Sequence, residues 1–150
     1  MATILEVGAG KTYETINAAL TAAKSIDGKV EIVISAGTYT ENVSFGNRTF
    51  VEDDKTYVGG ITFKAAADAE VTIKGYFQCN ATAADIKDVA FDGLNIECVA
   101  KGNGYYTPIG INANASVTAS GISVTNCTLT FVLSMGELLI SLLITNPQLD

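Results

Sequence analysis

Positive charge is scarce in this 150-residue chain: nine Lys plus Arg stand against 16 Asp plus Glu, for a formal net charge of -7. A protein that grips a nucleic-acid backbone needs a basic patch, and none is visible, so nucleic acid is excluded as a partner. Long apolar runs are missing too. The most apolar stretch, "ELLISLLI" at residues 137–144, is too short to span a bilayer. "MATILEVGAG" has neither a basic start nor a long apolar stretch, so it does not read as a secretory signal. The three cysteines, Cys79, Cys98 and Cys127, form no CxxC pair, which argues against a zinc knuckle. They read as buried reduced thiols, with one disulfide plus a free thiol as the alternative. Charged residues make up only 17%, too few for a disordered chain. With 48% apolar residues there is material for a core, and the length fits one domain over 1–150.

What is present is rhythm. "TILEV" (3–7) and "KVEIVIS" (29–35) read as strands, the second with Val30, Ile32 and Ile34 on one side. Between them, "TYETINAALTAAKS" (12–25) places Ile16, Ala19, Leu20 and Ala23 on one helical face, with Thr12 as the expected N-cap. Thereafter come short segments with two apolar residues spaced by one: "NVSF", "GITFKA", "EVTIKG", "YFQC", "DVAF", "LNIEC", "IGIN", "GISV" and "CTLTF". Period two means one buried face and one exposed. Gly- and Asn-rich corners between such strands suit a sandwich, a barrel or a solenoid.

Self-comparison favours the solenoid. Cys79, Asn80 and Ala81 fall on Ile111, Asn112 and Ala113 at an offset of 32. After one inserted residue, Val89, Phe91, Gly93, Leu94 and Ile96 fall on Ile122, Val124, Asn126, Cys127 and Leu129 at an offset of 33. Gly93 and Asn126 are the residue types that tolerate a left-handed corner. The expected architecture is a coil of parallel strands over 29–131, with inward aliphatic residues in columns. A strand and amphipathic cap helix over 1–28 would cover its first end. The tail, 132–150, breaks the style. Leu138, Leu139, Leu142 and Leu143 follow a capping-box spacing at Ser134–Glu137, so a short apolar helix is expected, with a strand pair as the alternative. This segment would cap the coil's second end or associate with another copy.

The stretch "GAGKTYETINAALTAAKSIDGKVEIVISAGTYTENVSF" carries a family pattern at Gly10, Thr15, Ile16, Ala19, Val30 to Ile34, Gly37, Tyr39, Glu41 and Val43. It resembles the N-terminal region of pectin methylesterase-like and pectin lyase-like proteins. That resemblance implies an all-β, right-handed parallel β-helix with an N-terminal cap helix. In it "AGTYTENVSF" would be a corner: Gly37 bends, Tyr39 packs, Glu41 stabilises, and Val43 and Phe45 enter the next strand.

The family's chemistry does not carry over with the fold. The esterases' Gln-Asp-Thr-Leu, Asp-Phe-Ile-Phe-Gly and Leu-Gly-Arg-Pro-Trp motifs are absent, and without histidine the polygalacturonase site cannot be assembled. A lyase needs a basic residue and often calcium. Arg48, the sole arginine, shares "GNRTFVEDDKTYVGG" with Glu52, Asp53 and Asp54, which reads as a solvated polar loop with local ion pairs; calcium there is the alternative to having no cofactor. Asp85, Asp88 and Asp92 fit corners and outward strand positions. For saccharide binding, Tyr105 and Tyr106 are the foremost candidates, with Tyr57, Tyr76 and Arg48 behind them.

The reading that follows is a non-catalytic β-helix domain, extracellular or at a cell surface, that binds carbohydrate or builds an assembly. The alternatives are a divergent or truncated polysaccharide lyase or pectin esterase, and an oligomerising appendage joined through the C-terminal apolar segment.

Overall fold

The structure is a computed structural model and describes residues 1–81, 84–99, 107–132 and 139–144. In chain order the elements are β1 (Thr3–Val7), α1 (Ile16–Ala23), β2 (Val30–Ile34), β3 (Gly37–Tyr39), β4 (Val43–Ser44), β5 (Thr49–Glu52) and β6 (Lys55–Ala65). There follow β7 (Val71–Lys74), β8 (Phe77–Ala81), β9 (Ile86–Asp92), β10 (Leu94–Val99), β11 (Ile109–Ala113), β12 (Ala119–Thr125), β13 (Cys127–Val132) and β14 (Leu139–Ile144). The class is all-β with one short helix, and the strands form three sheets. The first runs β1-β2-β6-β9-β12 with β5 on β6, the second β3-β7-β10-β13-β14, the third β4-β8-β11. The chain therefore visits first, second and third sheet in that order on three successive passes. All pairings are parallel except β5–β6 and β13–β14.

The internal offsets are the pairing register. Cys79, Asn80 and Ala81 lie opposite Ile111, Asn112 and Ala113. Val89 and Phe91 lie opposite Ile122 and Val124, and Ile96 opposite Leu129. Inward residues consequently form columns: Leu5, Ile32, Phe63, Phe91 and Val124 in the first sheet, Tyr39, Ile73, Ile96 and Leu129 in the second. Phe63 and Phe91 stack at 5.5 Å with an interplanar angle of 16°. Gly93 and Asn126 both take the left-handed conformation, at φ 77° and 53°, and the Asn126 amide donates to Asp92 Oδ1 at 3.1 Å. The three cysteines are buried and free, and burial pushes the Cys79 thiol pKa up to about 11.

Three local expectations need correction. The helix starts at Ile16 with Thr15, not Thr12, as N-cap. The preceding residues are already engaged: Gly8 N–H donates to Tyr13 O at 2.9 Å, and Tyr13 bridges to Val7. The stretch read as one corner holds a short strand, β3: Gly37, at φ 148°, follows a bend at Ala36 as expected, Tyr39 packs back on that bend with its hydroxyl donating to Ser35 O at 2.8 Å, and residues 40–42 make a further connection to β4. The tail residues 139–144 form a strand antiparallel to β13 rather than a helix. A short apolar run satisfies both periods, and a waiting edge of backbone donors and acceptors decides for the strand.

Glu41 ties the first bend to the helix. Its carboxylate accepts from Ile16 N–H at 2.9 Å, Asn17 N–H at 3.0 Å and the Asn17 side chain at 2.8 Å. Thr15 Oγ1 accepts from Ala18 N–H, so side chains from two parts of the chain satisfy the open amides of the first turn. Glu41→Ala is expected to lower the unfolding free energy by about 1.5–3 kcal/mol, the range for hydrogen bonds to a charged group. Urea unfolding followed by circular dichroism reads this directly, and Thr15→Ala should cost less, about 1 kcal/mol.

Candidate binding groove

The stretch read as a polar loop is a hairpin. β5 and β6 pair Thr49 with Val58, Phe50 with Tyr57, Val51 with Thr56 and Glu52 with Lys55. The turn is Asp53-Asp54, both left-handed at φ 52° and 61°, the conformation a two-residue hairpin turn demands and one that short Asp side chains tolerate. Alternation gives the hairpin two faces. One carries Phe50, Glu52, Lys55 and Tyr57; the other carries Thr49, Val51, Thr56 and Val58.

The first face is a web of ion pairs. Lys87 pairs with Glu52, Lys29 with Glu52 at 3.4 Å and with Asp88 at 2.8 Å, and Lys55 with Asp85 at 2.8 Å. The Lys55 and Lys87 ammonium groups each lie 5.1 Å from the centre of the Tyr57 ring. Bonding to Lys87, then attraction to Lys29, holds the Glu52 carboxyl below its ordinary range. Bonding to Lys55, then the Thr118 N–H, does the same for Asp85. Bonding to Asp88 raises Lys29.

The pH dependence follows from these directions. The lowered carboxyls add stability above their unfolded values, 4.5 and 3.8, and lose it as pH falls through the depressed ones. The raised Lys29 adds stability below 10.5 and loses it as pH climbs through its folded value. Between 4.5 and 10.5 the contribution is flat. Because these groups are exposed, it is modest and screened by salt. Urea midpoints taken from about pH 3 to about pH 11 should show an acid limb that Glu52→Gln shallows and added salt weakens.

The second face helps line a groove of about 580 Å³ beside the first and third sheets. Thr49, Lys55, Thr56, Asn80, Asp85 and Ser116 supply polar groups, and Val58 supplies an apolar one. The Asn112 amide donates to Asn80 Oδ1 at 2.9 Å, repeating one polar position on successive strands. Val51, paired with Thr56 on the hairpin, is 60% exposed.

The structure redistributes the residues singled out for binding. Arg48 is fully buried rather than solvated. Its Nη1 donates to Ile26 O at 3.1 Å and to Thr49 O, and its Nη2 to Gly28 O. Nε has no hydrogen-bond partner among the described residues. Burial pushes its pKa below the ordinary value. Arg48 thus clamps the α1–β2 connection to the hairpin and does not face a ligand; nor does it sit in a shared site with Glu52, which faces the lysines. Tyr57 is half-buried under two ammonium groups, so it is not a bare stacking platform. Tyr76 is half-buried, and its carbonyl accepts from Val43 N–H at 2.8 Å. Tyr105 and Tyr106 lie outside the described residues. Among the described residues no three acidic or cysteine side chains gather to hold a metal, and no helix is long and apolar enough to cross a membrane. Of the groove residues, Asn80 had a sequence signal, its match with Asn112; Thr56 and Ser116 had none beyond being polar. No protein-family model, curated protein or solved structure matches the chain significantly.

Proposed function

We propose that the chain is a non-catalytic, short right-handed parallel β-helix domain that binds a saccharide outside the cell, in the groove between the hairpin and the third sheet. The repeated passage through three sheets supports the coil, as does the family-like pattern from Gly10 to Val43. The observation that carries the binding role is the groove's chemistry: the hydroxyls of Thr49, Thr56 and Ser116, the Asn80 amide and the Lys55–Asp85 ion pair beside apolar Val58 and Val117. Neutral donors and acceptors over apolar patches match the alternating hydroxyl and C–H surface of a sugar ring. The charged groups nearby are paired with one another, which favours a neutral or weakly charged polymer over a polyanion.

The test is a panel of pectin, pectate and mixed glycans, with and without calcium, scored for binding and for product release. Binding without turnover, weakened about tenfold by Asn80→Ala, is expected; tenfold corresponds to one net hydrogen bond. Turnover of any polymer would replace this reading with a lyase or esterase. No binding, or binding untouched by Asn80→Ala, would remove the groove from consideration.

A further inference from the structure

The groove between the hairpin and the third sheet contains one polar group whose direction is set from behind. Asn80 and Asn112 lie opposite each other on β8 and β11. The Asn112 amide donates to Asn80 Oδ1 at 2.9 Å, so the acceptor end of the Asn80 side chain is already taken. Its Nδ2, with no hydrogen-bond partner among the described residues, is the end left for the groove that Asn80 lines. The charges in the groove are engaged. Asp85 Oδ2 pairs with Lys55 at 2.8 Å, and Asp85 Oδ1 accepts from Thr118 N–H at 3.0 Å. What remains is the hydroxyls of Thr49, Thr56 and Ser116, which donate or accept alike, and the half-buried side chains of Ala84 and Val117. The segment carrying Ser116 and Val117 is a closed turn: Ser116 N–H donates to Asn114 Oδ1 at 2.9 Å, and Val117 N–H to Asn114 O at 3.1 Å.

These features sort sugars by one substituent. A uronate carboxylate needs a free cation, and Lys55 is already paired. A plain hydroxyl is donor and acceptor at once and brings no apolar group, so a fixed donor gives it little advantage over water. An acetamido group brings a carbonyl acceptor, an N–H and a methyl. The carbonyl suits Asn80 Nδ2, the N–H suits a threonine or serine hydroxyl, and the methyl suits an aliphatic surface such as Val117. We propose that the groove selects sugars bearing a 2-acetamido group, with Asn80 donating to the acetamide carbonyl and Asn112 positioning Asn80. This rests on the saccharide-binding reading above and narrows its ligand to N-acetylhexosamine polymers.

The experiment is isothermal titration calorimetry of the full chain with tetrasaccharides that share one backbone: chitotetraose, its fully de-N-acetylated form, and cellotetraose, which carries a hydroxyl in place of each acetamido group. Chitotetraose should bind at least about tenfold tighter than either, because it alone makes both the hydrogen bond and the methyl contact. Asn80→Asp keeps the shape, removes the donor and should abolish the preference. Asn112→Asp tests the positioning. An aspartate there only accepts, so Asn80 turns its NH2 toward it and its oxygen to the groove. The preference should vanish while cellotetraose affinity stays within about twofold, whereas a merely structural role would weaken every sugar alike. Val117→Thr, which replaces a methyl by a hydroxyl, should also shrink the preference, and it serves should either aspartate disturb folding by circular dichroism. Equal binding of chitotetraose and cellotetraose overturns this inference and leaves the groove reading standing. So does a preference that survives these variants, or binding of other glycans in the panel without chitotetraose. No binding of any glycan removes both.

Discussion

Phe91→Ala is expected to cost about 3–5 kcal/mol of unfolding free energy, the range for deleting a buried ring from a packed core. Phe91 is fully buried. It stacks on Phe63 at 5.5 Å and meets Phe77 at 5.2 Å and Phe45 at 6.0 Å edge to face. The four rings come from two facing sheets: Phe63 and Phe91 from the first, Phe77 from the third, and Phe45 from the residue following β4 of the third. Removing the ring therefore opens a hole that no single sheet can close by shifting. Domains of this kind are stable by about 5–15 kcal/mol in total, so the variant sits near the threshold of folding. Val51→Ala is the internal control: at 60% exposed it should change stability by less than about 0.5 kcal/mol. Both are read by urea unfolding at one fixed protein concentration, since association would add to apparent stability. A loss below about 1 kcal/mol for Phe91→Ala would mean that the rings do not form the shared core.

The later columns were visible in the sequence, because parallel pairing converts an internal repeat into a register, though the ring cluster was not. Cys79 over Ile111 and Phe91 over Val124 are statements about sequence offset and about hydrogen bonding at once. Gly93 and Asn126 were legible for a related reason: few residue types tolerate a left-handed corner. The hairpin was not legible. Its turn is Asp53-Asp54, where the usual signal is Asn-Gly or Asp-Gly, and its charges suggested solvent. The partners of Glu52 and Lys55, namely Lys29, Lys87 and Asp85, lie more than twenty residues away and announce nothing locally. Arg48 misled in the same way. Arginine is seldom buried, and only the three-dimensional path brings the Ile26 and Gly28 carbonyls to its guanidinium. The tail failed on ambiguity, since "LISLLI" satisfies helical and strand spacing alike until an edge is present to receive it.

Corners carry the second large effect. Gly75 follows β7, and its N–H donates to Glu97 O at 3.0 Å. A Cβ at this position would fall inside the van der Waals shell of the Glu41 carbonyl oxygen, and 2.7 Å from Asn42 Oδ1. Backbone at Glu41 cannot yield cheaply, because the same residue's carboxylate holds the Ile16 and Asn17 amides. Moving that bend pulls the cap from α1, and with it the helix that covers Ile32 and its neighbours at the first end. Gly75→Ala is therefore expected to cost more than the usual overpacking penalty of about 1–3 kcal/mol, although it adds a single methyl group. Gly110→Ala separates the local clash from the general cost of losing a glycine. Its Cβ would lie 3.1 Å from the exposed Thr107 hydroxyl and 3.9 Å from Asn112 Nδ2, side-chain atoms rather than backbone, and its effect should stay below about 1 kcal/mol. Circular dichroism and urea midpoints on the two variants decide the matter. Equal stability of the two would mean that stacked bends are free to separate, and that Glu41 does not couple the first corner to the helix.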